Sequence, residues 1–305
     1  MTERLFRRAI ALLCGALTFC AATASFAAAE ETSETRRGPF VVRADFDLAT
    51  IENELAALDA LVAEMRSTLR LPEFRENVVV RIFRDEATWR EFHRQNLGGA
   101  PYRRAMYDRK NYLFDRDDAP GRVYLCLNPK FDGDLRHECA HAILGAALGR
   151  SVPIWLDEGI AEYYEASPEA RASNPAWFDR AAERLRRGEF SSLESLEKIA
   201  GIDGMKSSKY CDSWAWVAWF LNGPEAVRDV LPQYLNDVGA RKLFASKPSK
   251  RLKSLAQDGA AERSLRRYFG VDVSASVDAP RSSGLEYGVD HAPGAGGAWS
   301  PAPVR

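Results

Sequence analysis

His137-Glu138-Cys139-Ala140-His141, followed by Pro153-Ile154-Trp155-Leu156-Asp157-Glu158-Gly159-Ile160-Ala161-Glu162-Tyr163, is the stretch on which the reading of this chain turns. The chain has four histidines, and two of them fall in the five-residue box. On a helix, residues four apart share a face, so the imidazoles of His137 and His141 can converge on one ion. Zinc suits two neutral imidazoles plus a carboxylate, with a fourth position left for water. Glu138, one residue round from His137, can reach that water without ligating the metal. Its expected role is general base: it takes a proton as the water attacks a carbonyl and passes it to the leaving amine. Cys139 points away from the ion in such a turn and reads as a small apolar helix residue. The box alone leaves the third ligand open.

Working outward, Asp132 or Asp134 is placed to cap a helix that runs to about Leu148 and closes at Gly149. Pro153 starts the next helix, Ile154 to Ala166, which carries Glu158. Upstream, Phe40 to Arg43 and Asn77 to Phe83 are short and β-branched, hence strands. Between them Leu48, Ile51, Leu55, Leu58, Val62, Met65 and Leu69 recur at three- and four-residue steps, an amphipathic helix that Pro72 ends. Asp85 can cap a helix bearing Trp89, Phe92 and His93, with His93 on its surface. Further strands are expected around Tyr112-Leu113-Phe114 and at Arg122 to Leu127, joined by a solvated turn at Asp115 to Asp118. Downstream the pattern is helical: Pro175 to Arg187, Ser207 to Leu221, Glu225 to Val238 and Glu262 to Phe269. Trp214, Trp216, Trp219 and Phe220 read as core of the second of these. The fold class expected is α+β, with a small mixed-sheet lobe before the box and a helical lobe after it.

The ends read differently. Arg4, Arg7 and Arg8 precede an uncharged, Ala- and Leu-rich stretch that finishes in Ala22-Thr23-Ala24 and Ala27-Ala28-Ala29, the pattern of a signal peptide over residues 1–29. An uncleaved anchor and a twin-arginine export signal are the alternatives; Phe19 is too large to precede a lipid-bearing Cys20. Glu30 to Gly38 is a polar linker, and residues 271–305, rich in Gly, Pro, Ser and Ala, are expected to be disordered. The chain is thus expected in the periplasm or secreted, with no membrane insertion after cleavage. With 46% hydrophobic and 28% charged residues and a formal charge of -1, nothing points to nucleic acid. Of the cysteines past the signal, Cys126 and Cys211 could bridge, but buried free thiols are the favoured reading for them.

The two quoted segments together resemble the gluzincin metallopeptidases, and more closely the bacterial peptidase MA-like domains, in which the box is followed by Pro-x-Trp-Leu-x-Glu-Gly-x-Ala-x-Tyr. Pro153 to Tyr163 matches that pattern throughout. The similarity runs from about Phe40 to Phe269 and is weak outside the two motifs. It implies a zincin-like domain over residues 39–270, with the metal between the lobes, and a polypeptide substrate. His137, His141 and Glu158 would bind one Zn2+ per chain, with Glu138 as base. Glu162, one turn after Glu158, would accept a hydrogen bond from the free nitrogen of a ligand histidine. Tyr210 would donate to the oxyanion. Asp157 and Glu165 are read as plain helix carboxylates. The resemblance also suggests a substrate lying extended along an edge strand, for which Arg122 to Leu127 is the candidate. The alternative to an enzyme is a zinc-bearing binding or scaffolding domain of the cell envelope, which an intact Glu138 argues against.

Overall fold

Val78-Val79-Val80-Arg81-Ile82-Phe83 forms the middle strand of a five-stranded mixed sheet in the computed structural model, which describes residues 33–97, 99–108, 121–242, 245–255 and 259–271. Contacts divide the chain after Glu30, and all of the described residues belong to the second unit. The expected signal segment, the disordered tail and the strand at Tyr112 to Phe114 lie outside the described residues. Among the described residues no helix is long and apolar enough to cross a membrane.

The strands are β1 (Ser33–Arg37), β2 (Phe40–Ala44), β3 (Val78–Phe83), β4 (Ala105–Asp108) and β5 (Arg122–Cys126). Their order is β1-β2-β3-β5-β4; β2, β3 and β5 run parallel, and the two outer strands are antiparallel to their neighbours. Two differences from the sequence reading follow. The polar linker contains β1, whose Ser-Glu-Thr-Arg-Arg sequence has no apolar face and which is held by pairing with β2 and by ion pairs of Arg37 with Asp59 (3.1 Å) and Glu52 (2.5 Å). The second concerns the edge: Arg122 to Cys126 has neighbours on both sides, so among the described residues the edge strand beside the box is β4.

The helices are α1 (Glu52–Thr68), α2 (Glu86–Asn96), α3 (Phe131–Leu148), α4 (Ile154–Glu165), α5 (Pro175–Arg186), α6 (Leu193–Leu196), α7 (Ser207–Asn222), α8 (Glu225–Arg228), α9 (Val230–Gly239), α10 (Pro248–Leu255) and α11 (Ala260–Tyr268). Before α1, a short 3-10 turn at Leu48–Ile51 is capped by Asp47, and the apolar stripe of the sequence is the buried stripe here: Leu48, Ile51, Leu55, Leu58, Val62, Met65 and Leu69. Asp85 caps α2 by accepting from the Thr88 N–H at 2.7 Å, as expected. The predicted helix Glu225 to Val238 is two helices. Pro232 cannot donate to the Arg228 carbonyl and its ring collides with it, so α8 stops at Arg228.

One face of the sheet (Phe40, Val42, Val78, Val80, Ile82, Val123, Leu125) shares a core with α1 and α3; the other, through Phe83, Tyr124 and Cys126, packs on Trp89 of α2. His93, expected on the surface, is buried there against Trp89 and Tyr102. Cys126, Cys139 and Cys211 are all buried and free. In the helical part, Trp214, Trp219 and Phe220 are wholly buried.

Candidate metal centre

Helix α3 begins at Phe131, not at the aspartates proposed as caps. Asp132 and Asp134 lie in its first turn, where carboxylates suit the positive end of the helix dipole. Asp134 accepts both arms of Arg104 at 2.6 Å, which ties the chain just before β4 to the start of α3. The other end closes at Gly149, whose φ of 62° is the left-handed conformation that favours glycine. Helix α4 crosses α3 and packs on α7 at Gly159, where a Cβ would stand 2.8 Å from the Ser213 carbonyl oxygen. The glycine after Glu158 is therefore what lets α4 and α7 approach closely enough to bring Glu158 and Tyr210 to the same cleft.

His137 Nε2 and His141 Nε2 stand 3.3 Å apart, and Glu158 Oε2 lies 3.8 Å from each. All three residues are largely buried. A tetrahedral zinc site with bonds near 2.0–2.1 Å has ligand-to-ligand edges of about 3.3 Å. The observed triangle has one edge of that length and two edges a little longer, so the donor set and its spacing fit zinc. Glu138 faces the same cleft, and its carboxylate accepts the main-chain N–H of Tyr107 in β4. Burial, with Glu158 nearby, raises the Glu138 pKa against the pull of the two histidines and that hydrogen bond.

Behind the triangle stand the two carboxylates that the sequence reading left without a role. Glu165 Oε2 is 3.1 Å from His137 Nδ1, and Asp157 Oδ1 is 3.0 Å from His141 Nδ1. Each can hold the Nδ1 proton and so leave Nε2 as the donor to a metal. Glu162, proposed for that task, accepts from Trp177 Nε1 at 3.2 Å and is 1% exposed, and a carboxylate oxygen of it lies within 4.8 Å of a ring nitrogen of His137, beside Glu165; burial holds its pKa well above the ordinary carboxylate range. Glu158, Glu162 and Glu165 fall at i, i+4 and i+7 on one face of α4, a spacing that could have pointed to Glu165 from the sequence. Asp157 carries no such signal.

Replacing Glu165 or Asp157 by the isosteric amide is expected to weaken zinc affinity about 10–100-fold each. Competition with a chromophoric chelator reads this, and an affinity unchanged in both variants would assign the carboxylates a purely structural task. Zinc binding is also expected to release protons. Burial lowers the His141 pKa, but Asp157 and Glu158 outweigh it and raise it to about 9, so in the metal-free protein the ring keeps its proton below that pH. Apparent affinity should therefore climb as pH rises towards about 9 and fall on acidification. Calorimetric titration in buffers of different ionisation enthalpy measures the proton count; none released would contradict the charge state argued here.

The cleft has a volume of about 440 Å³, and its lining includes Tyr107, His137, Glu138, His141, Glu158 and Tyr210. The Tyr107 ring lies parallel to His141, with ring centres 6.5 Å apart. Tyr210, in the first turn of α7, is partly buried; burial, then Glu158 and Glu162, raises its pKa and keeps the hydroxyl protonated, hence able to donate. Comparison of the sequence with protein-family models and with curated proteins finds no match, so the site is read from its own residues and geometry.

Proposed function

We propose that this chain is a zinc-dependent peptidase of zincin-like fold, exported to the periplasm or secreted. The observation that carries the proposal is the triangle of His137, His141 and Glu158 donor atoms with Glu138 beside it, in a cleft that Ala105–Asp108 of β4 also lines. Those three residues would hold zinc, which when bound would supply Lewis acidity towards a carbonyl and lower the pKa of a water molecule. Glu138 takes the proton of the attacking water and delivers it to the departing amine nitrogen. Its carboxylate is oriented for this by the Tyr107 N–H. The protonated Tyr210 donates to the oxygen on which negative charge develops. Among the described residues β4 has a strand neighbour on one side only, and an extended polypeptide can lie along its other side, which is why a peptide suits the cleft better than a compact amide.

The test uses full-length protein loaded with zinc and a broad peptide library read by mass spectrometry. Cleavage that stops on chelation and returns with added zinc is the expected result. A protein that takes up no zinc ends the proposal. Zinc held firmly with nothing cleaved across the library would make the chain a zinc-bearing binding or scaffolding domain instead.

A further inference from the structure

Most charges that line the cleft are already answered. Glu158 faces both histidines, Asp157 faces His141, Glu162 is buried against Trp177, Glu138 accepts the Tyr107 N–H, and Asp108 is the register partner of Arg122 in the β4–β5 pair. Arg103 and Arg150 are different: both line the cleft, both are exposed, and no carboxylate among the described residues pairs with either. They stand at opposite ends. Arg103 lies two residues before β4, next to the Arg104–Asp134 tie at the start of α3, and its charge reaches Tyr210. Arg150 follows the last turn of α3, beyond His141 and Leu144, where Leu144, Val152 and Ile154 also line the cleft. The α3 axis from Asp134 to Arg150 covers about 24 Å at 1.5 Å per residue. Allowing for the reach of two arginine side chains, about four to six extended residues fill the span between the guanidinium groups at ~3.3 Å each. The metal ligands lie between them.

We propose that the cleft selects acidic polypeptide, with Arg103 and Arg150 each receiving an Asp or Glu side chain on opposite sides of the bond held over His137, His141 and Glu158. An exposed guanidinium offers a carboxylate two parallel N–H donors, and a pair this open to solvent gives a modest, salt-screened preference at each end. The selection rests on the peptidase reading for its meaning but not for its measurement.

The test is binding to the full-length, zinc-loaded Glu138→Gln protein. Two fluorescein-labelled heptapeptides are compared by anisotropy, one with glutamates near both ends and the other with glutamines at the same places. The acidic peptide is expected to bind about tenfold more tightly at low ionic strength, with the difference shrinking as salt is added. Arg103→Gln and Arg150→Gln should each remove part of the preference and the double variant all of it. Equal binding of the two peptides, no binding of either, or a preference that survives the double substitution overturns the proposal. Acid-selective binding without cleavage by the wild-type protein would instead sink the peptidase reading and leave the acidic selectivity standing.

Discussion

Glu138→Gln is expected to lower kcat/KM for peptide cleavage by about 10²–10⁴-fold while leaving zinc content unchanged. The amide has the shape of the carboxylate and can still sit beside the Tyr107 main chain, but it cannot accept a proton from attacking water. Because Glu138 is not one of the three clustered donors, the distances among His137, His141 and Glu158 have no reason to change. Loss of activity with metal retained is thus the signature of the base, and it differs from the outcome at a ligand. Glu158→Ala removes one of those donors and should weaken zinc retention and activity together. Metal analysis and kinetics on the same preparations make the distinction. Wild-type rates in Glu138→Gln would remove the residue from the chemistry; lost zinc in that variant would mean its carboxylate helps to hold the metal.

The helices around the site are legible from sequence for a physical reason. The stripe from Leu48 to Leu69 buries one continuous face, and burial writes itself there as a three- and four-residue period; the helices bearing His137 and Glu158 are buried nearly all round and are legible from their motif and their Gly and Pro boundaries instead. The strands that matter most are not written that way. β1 is polar on both faces because it is held by main-chain pairing to β2, and β4 is four residues long, too short for alternation to register. Hence Arg122 to Cys126, with its apolar run from Val123 to Cys126, is the visible strand, although it lies inside the sheet with β3 and β4 on its two sides. The metal triangle was readable because the i, i+4 geometry of one helix sets two of its corners. Which carboxylates back the histidines depends on how α4 packs against α3, a long-range arrangement in which α4 is also held against α7 at Gly159 and Ser213. Glu165 and Asp157 acquire their partners only through that packing.

The same dependence on a remote brace makes Asp212→Ala the largest stability effect expected outside the metal site. Asp212 in α7 is fully buried and accepts Arg184 Nε at 2.7 Å, Arg184 Nη2 at 2.9 Å and the Ser191 N–H at 3.0 Å. Alanine leaves a guanidinium whose side chain is 15% exposed without its main counter-charge, and an orphaned main-chain donor. Arg184 keeps contacts with Glu189, which places the loss near the lower end of the range for a broken buried pair, about 3 kcal/mol. For a domain of this size that is a fall of roughly 6–12 °C in Tm. Asp212 lies two residues after Tyr210, so the brace also fixes the first turn of α7 against the cleft. Activity below the transition should therefore fall in kcat while zinc content holds, since none of the three donor residues is on α7. The double variant Arg184→Met/Asp212→Leu separates burial cost from pairing: with both charges gone it should recover much of the lost stability. If the double variant unfolds as early as Asp212→Ala, the penalty lies in packing around α7 and not in the unpaired arginine. If Asp212→Ala melts within a degree or two of wild type, the brace has no bearing on where Tyr210 stands.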